Sequence, residues 1–199
     1  MKERPILFSA PMVNAILDGK KTQTRRILKF PENVRVETVY RWRPAPVAGY
    51  GVKGEYVPLN VNGGISTKAF HDHSIPCPHG KVGDQLWVRE TWFHPHKESP
   101  SKHNLSYRAD GDALHKWYPS IHMPRWASRI QLEITDIRVE RLQDISDDDA
   151  LEEGVDRTNT SIKGYARQRF QNLWQKINGV DSWDQNPWVW VIEFERIKP

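Results

Sequence analysis

The sequence predicts an α+β domain: a bent β-sheet or small barrel with two or three helices packed against it. Three features predict this. Apolar residues alternate with polar ones near residues 85–90, 130–142 and 188–195, the two-residue period of strands. Two other stretches, near 10–18 and 166–178, repeat apolar residues every three to four positions and stop at a glycine, as amphipathic helices do. The 199 residues carry no internal repeat, so residues 1–199 read as one domain, interrupted by an irregular insertion at about 30–80.

Taken in order, Ile6-Leu7-Phe8 is a short apolar run fit for a first strand. Ser9-Ala10-Pro11 then opens a helix, because proline is tolerated in a first turn. Met12, Ala15 and Ile16, widened by Val13 and Leu17, form its apolar stripe, and Gly19 ends it. From Phe30 to Gly80, six prolines and five glycines before Gly80 leave room only for short strands such as Val34–Tyr40, so this segment reads as a hairpin with loops. Gly83-Asp84 is a turn into the strand Gln85–Glu90. In Ile130–Leu142 the apolar phase shifts between Ile134 and Ile137, which predicts a bulge or bend. Ser146 and Asp149 form a capping-box pair for a short acidic helix ending at Gly154. Ala166, Phe170, Leu173, Trp174 and Ile177 share one face of a further helix, stopped by Gly179. The last strand starts at Trp188; its pattern predicts burial on both faces first and on one face later.

Composition narrows the function classes. No apolar run reaches the roughly 18 residues of a membrane span, and no signal-peptide core follows Met1. A single cysteine, Cys77, allows no internal disulfide, so a reducing cytoplasm is the expected setting. Charge is segregated: Lys20 to Arg43 holds eight basic residues against two acidic, while Asp136 to Asp156 holds nine acidic against two basic. A segregated basic stretch is the footprint of a phosphate-bearing partner such as RNA or DNA, a solvated face being the alternative. Nine tryptophans supply anchors for a core or for stacking on a base; Trp87, Trp92, Trp117 and Trp126 flank loops where stacking is possible.

Two apparent motifs fail in context. Gly49-Tyr50-Gly51-Val52-Lys53-Gly54 spells G-x-G-x-x-G, but Pro44, Pro46 and Pro58 stand where its strand and helix belong. His71, His73, Cys77 and His79 could supply four zinc ligands, yet their spacing fits no standard zinc module and they sit among prolines; ordinary loop residues are the alternative. The sharpest feature is Gly19-x-Lys21-Thr22-x-Thr24-x-Arg26. Thr24 is a weak nucleophile unless a base takes its proton, and a lysine of lowered pKa three residues away can do so. The alternative is that Lys21 and Arg26 hold phosphates while Thr24 caps a turn.

At these residues the chain resembles the ASCH domain family, a branch of the PUA-like superfamily of RNA-associated barrels. Gly19, Lys21 and Arg26 carry the resemblance, with the Gly83-Asp84 turn and the Trp/Val-rich last strand. Residues 6–26 and 83–194 are more closely similar to uncharacterised phage and prophage proteins, through the stretches Gly83–Trp92 and Pro119–Arg129. The resemblance implies a small PUA-like β-barrel with two to three flanking helices and a loop-rich insertion. One bacterial ASCH protein is an amidohydrolase that removes the acetyl group of N4-acetylcytidine with a Lys, a Thr and a Glu. By motif these fall on Lys21, Thr24 and Glu153, with Glu152 the neighbouring alternative.

Two functions follow. The first is a cofactor-free amide hydrolase acting on N4-acylated cytidine, free or in RNA: Thr24 attacks, Lys21 activates it, and Glu153 passes the proton to the departing amine. The second is an ASCH module that binds, or also cleaves, RNA, with Lys20, Lys21, Arg25 and Arg26 on phosphates and Trp87 and Trp126 on bases. Neither requires a metal, and a monomer is expected.

Overall fold

The computed structural model describes residues 1–29, 36–41, 55–60, 75–95, 104–111, 113, 116–156, 158 and 162–197. Its centre is a mixed five-stranded sheet of β1 (Glu3–Leu7), β2 (Gln23–Ile27), β6 (Gln85–Arg89), β9 (Gln131–Arg141) and β10 (Trp188–Ile197), in the order β1-β6-β9-β10-β2. Only β1 and β6 run parallel; the other neighbours are antiparallel. The phase shift read in the sequence is a bulge: Glu193 pairs with Asp136 and Phe194 with Ile134, leaving Thr135 unopposed. Without that extra residue, Ile134 and Ile137 would face opposite sides; with it, both are buried in one core with Leu132, Trp190 and Ile192.

The sheet is bent but not closed. Among the described residues β1 and β2 are edge strands that do not pair with one another, so the barrel expectation is corrected to an open sheet. Side chains occupy the gap instead. The Arg26 guanidinium donates across it to the Leu7 carbonyl at 2.7 Å, and the Phe8 ring has Lys21 Nζ at 5.6 Å and Arg26 Cζ at 5.3 Å from its centroid.

Helix α1 (Ala10–Leu17) connects these two edges and buries Val13, Ala15 and Ile16. Helices α2 (Asp147–Glu152) and α3 (Tyr165–Asn178) pack together and cover the other face of the sheet through Ala150, Phe170, Trp174, Val189 and Val191. The Ser146–Asp149 capping box is present in both directions. Ile177 departs from the expected stripe: it is 55 % exposed because α3 overhangs the core at its C-terminal end. The last strand follows its pattern, with four consecutive buried residues from Val189 to Ile192 and exposed Glu195 later.

In the insertion, β3 (Val36–Arg41), β4 (Glu55–Asn60) and β5 (Ile75–Pro76) form a separate antiparallel sheet in the order β3-β4-β5, so a hairpin is present. Among the described residues Pro58 of its central strand pairs with Val39 of β3, and β5 pairs with Glu55 and Tyr56. The glycine run at 49–54 lies outside the described residues. A short pair, β7 (Trp92–Phe93) with β8 (Ser106–Tyr107), carries a third apolar cluster around Trp92 and Met123.

Candidate active site

The site is assembled where α1, β2 and the end of α2 meet. Gly19 adopts φ +70° after α1, and the chain folds back so that the Lys20 and Lys21 amides both donate to the Ala15 carbonyl, at 2.8 and 3.0 Å. The Thr22 amide then donates to the Glu152 carbonyl at 2.9 Å, and Lys21 forms an isolated antiparallel bridge with Glu153. This tether needs close approach. A Cβ on Gly154, whose φ is +85°, would stand 2.9 Å from Ala15 Cβ and 3.0 Å from Lys21 Cβ.

Lys21 and Glu153, 132 positions apart, meet with side chains 0 % and 3 % exposed. Lys21 Nζ donates to Glu153 Oε2 at 2.7 Å, and to the carbonyls of Glu153 and Gln23 at 2.8 Å each. All three ammonium protons are therefore placed. Glu153 Oε1 accepts from Arg25 Nη1 at 3.3 Å, so the two oxygens of one carboxylate rest on two different buried cations. Of the two glutamates the sequence offered, Glu153 and not Glu152 meets Lys21.

Arg25 departs from the phosphate-holding role expected of it. Strand alternation turns it with Gln23 toward α2, where its buried guanidinium is taken up by Glu140, Glu153 and Asp149. Arg138 extends the network, bonding Asp149 at 2.8 Å, Glu140 at 3.3 Å, and Glu193. The sequence reading missed Gln23, Arg138 and Glu140 and took Asp149 only for a cap. Their signal is faint: a run of charges on the mid-part of a strand whose other face is apolar.

Thr24 lies on the opposite face from Arg25 and is 3 % exposed. Among the described residues its hydroxyl makes no hydrogen bond, to Lys21 or to any other group. With Arg25, Arg26 and Glu153, Thr24 lines a cleft of about 70 Å³ that Phe170 and Trp174 of α3 also line. Glu153 also lines a larger groove of about 730 Å³ between the start of α1 and α3, with Met12, Tyr165 and Ile177 along it. A groove of that size is in the range of small-ligand sites.

Burial drives the Lys21 pKa below its ordinary value; the adjacent Glu153 carboxylate opposes this, and the charges of Arg26 and Arg25 add to it. Burial works to raise Asp149, but hydrogen bonds from Gln23 and Ser146 and the charge of Arg25 bring its carboxyl below the usual range. A lysine with a lowered pKa, hydrogen-bonded to a carboxylate, is an acid–base pair suited to moving one proton over a short distance.

The remaining predicted residues lie elsewhere. Lys20 is exposed and pairs with Asp18 at 2.7 Å. Trp87 is on β6, separated from β2 by β9 and β10, with the guanidinium carbons of Arg89 and Arg125 at 5.1 and 5.9 Å from its ring. Trp126 packs edge-on against Trp92 and His94, each at 5.9 Å. Neither tryptophan is brought to the Thr24 cleft. Of the histidine–cysteine cluster, His71 and His73 lie outside the described residues. Cys77 is buried, its thiol pushed up to about 11 by desolvation, and burial together with Arg26 and Arg4 drives His79 down to about 4. Among the described residues no group of three or more His, Cys, Asp or Glu side chains is placed to hold a metal ion, and no helix is long and apolar enough to cross a membrane. No protein-family model, curated protein or solved structure matches the chain.

Proposed function

We propose that this chain is an ASCH-like, cofactor-free amide hydrolase acting on the N4-acyl group of cytidine or a cytidine derivative. The observation that carries this reading is the meeting of Lys21 with Glu153 at 2.7 Å, buried, with Glu153 and Thr24 lining one cleft. The motif resemblance to the ASCH amidohydrolase supports it by naming the same three residues.

The proton path starts from the ion pair. The Lys21 ammonium passes a proton to Glu153 along their hydrogen bond, leaving an amine and a carboxylic acid. The amine takes the Thr24 hydroxyl proton as Oγ1 bonds to the acyl carbon. The carbon–nitrogen bond breaks, and the Glu153 acid protonates the departing cytosine N4. Lys21 is again an ammonium, Glu153 a carboxylate, and Thr24 an acyl ester. Water then cleaves the ester through the same pair in reverse, releasing the carboxylic acid. Arg26 lines the same cleft.

The alternative of a phosphate-binding module without chemistry is less well supported. Lys21 and Arg25, two of its cations, are committed to carboxylates. The test is conversion of N4-acetylcytidine to cytidine and acetate by the purified protein. Thr24→Ala is expected to lower the rate at least about a thousandfold, while Thr24→Ser retains it within about tenfold. Absence of conversion by the wild type, or activity surviving in Thr24→Ala, overturns the reading.

A further inference from the structure

The cations of this molecule fall into two groups. Lys21, Arg25 and Arg138 each face carboxylates. Among the described residues Arg4, Arg26 and Lys29 form no ion pair, although the Glu153 carboxylate acts on Arg26 through space. On its far side Arg26 borders another cleft, of about 540 Å³, which Lys29, Pro78, His79 and Asn178 also line. Arg26 spends one donor on the Leu7 carbonyl and forms no ion pair among the described residues. Arg4 Nη1 lies 3.5 Å from the carbonyl of Pro78, one of the lining residues, and its Nε is buried with no acceptor among the described residues. Lys29 is exposed at the cleft, and among the described residues the His79 ring makes no hydrogen bond. No Asp or Glu is among the described residues lining this cleft.

Arg26 and Lys29 bring positive charge to a cleft that no described carboxylate lines, and a bound anion answers that charge. His79 registers the field: with burial, the positive charges of Arg26 and Arg4 keep its ring neutral at pH 7. A neutral imidazole can donate one hydrogen bond to a phosphate oxygen without adding to the repulsion. The planar donors of Arg26 and the ammonium of Lys29 suit the same oxygens. Arg26 borders both clefts, so a ligand phosphate in this one shares that side chain with the cleft lined by Thr24.

We propose that the cleft beyond Arg26 binds a phosphate of the substrate, so that the site takes a cytidine nucleotide, as a monophosphate or within an RNA strand, in preference to a bare nucleoside. The acyl part of this statement rests on the hydrolase reading; the phosphate part does not.

The experiment needs no acyl group. Cytidine, 5′-CMP, inorganic phosphate and a short cytidine oligoribonucleotide are titrated into the intact protein in phosphate-free buffer, and binding is followed by calorimetry and by the His79 ring signals in NMR. The expected result is 5′-CMP binding at least about tenfold tighter than cytidine. His79 then titrates higher than in the free protein, since a phosphate sets a negative charge against Arg26 and Arg4. Lys29→Glu lowers 5′-CMP affinity about tenfold and leaves cytidine affinity in place. Tight binding of the oligoribonucleotide alone, with the same His79 response, upholds the site and assigns the phosphate to a strand. Equal affinities for cytidine, 5′-CMP and the oligoribonucleotide, or 5′-CMP or oligoribonucleotide binding that leaves His79 unmoved, overturns it. If phosphate ligands bind but N4-acetylcytidine and its nucleotide are not hydrolysed, the hydrolase reading alone fails. If hydrolysis proceeds without any preference for phosphate, the phosphate site alone fails.

Discussion

Replacing Glu153 by glutamine keeps its shape and removes the charge that two buried cations share. Lys21 would then face only two carbonyls and a neutral amide, and Arg25 would lean wholly on Glu140 and Asp149. Breaking a buried ion pair from one side costs about 3–5 kcal/mol, so Glu153→Gln is expected to lower unfolding free energy by an amount in that range, read from urea denaturation. Glu140→Gln, at a side chain 19 % exposed, is expected to cost less, because Arg25 keeps two other carboxylates. The motif around Lys21 was legible because its residues are close in sequence. Its partner was legible only as one of two adjacent glutamates, since which of them turns inward depends on where α2 ends.

Helix α2 is the element that delivers Glu153, and its ends are set by local chemistry. Ser146→Ala removes one half of the capping box and is expected to cost about 1 kcal/mol by the same denaturation measurement. Gly154→Ala is expected to be worse. The added methyl would have to push α1 away from Lys21 while the backbone stays at a positive φ, so a loss of at least about 2 kcal/mol is the outcome to look for. Capping, helix stripes and strand alternation are short-range patterns, which is why α1, α2, α3, β9 and β10 could be read from the chain. Even the bulge at Thr135 shows as a change of phase between Ile134 and Ile137. Ile177 was misplaced because helical spacing defines a stripe but not how far along it the core extends.

Across the whole molecule, the open gap between β1 and β2 gathers Arg4, Arg26 and His79 and couples stability to pH. His79 is pushed down to about 4 in the fold, against an ordinary value of 6.5. Between these values the unfolded chain binds a proton that the folded protein does not, so acid favours unfolding. The stabilisation is complete above pH 6.5 and is lost as pH falls toward 4, by about 1–3 kcal/mol. His79→Gln is expected to flatten the stability profile in that window, in phosphate-free buffer, relative to the wild type.

Residue types and their spacing carried the α+β class, the order of the elements, the insertion with its hairpin, and Lys21 and Thr24 as a pair worth testing. These are properties of periods of two to four residues, and a linear chain displays them directly. The pairing of Lys21 with Glu153 and the inward turn of Arg25 join groups more than a hundred residues apart, and the setting of Thr24 and Arg26 likewise follows from packing. Whether a basic side chain meets a carboxylate or an open cleft depends on which strands lie side by side and where a sheet stops. The charge count of the segment from Lys20 to Arg43 is the same in either case; within its described part, packing sets Lys21 and Arg25 against carboxylates and leaves Arg26 and Lys29 at a cleft.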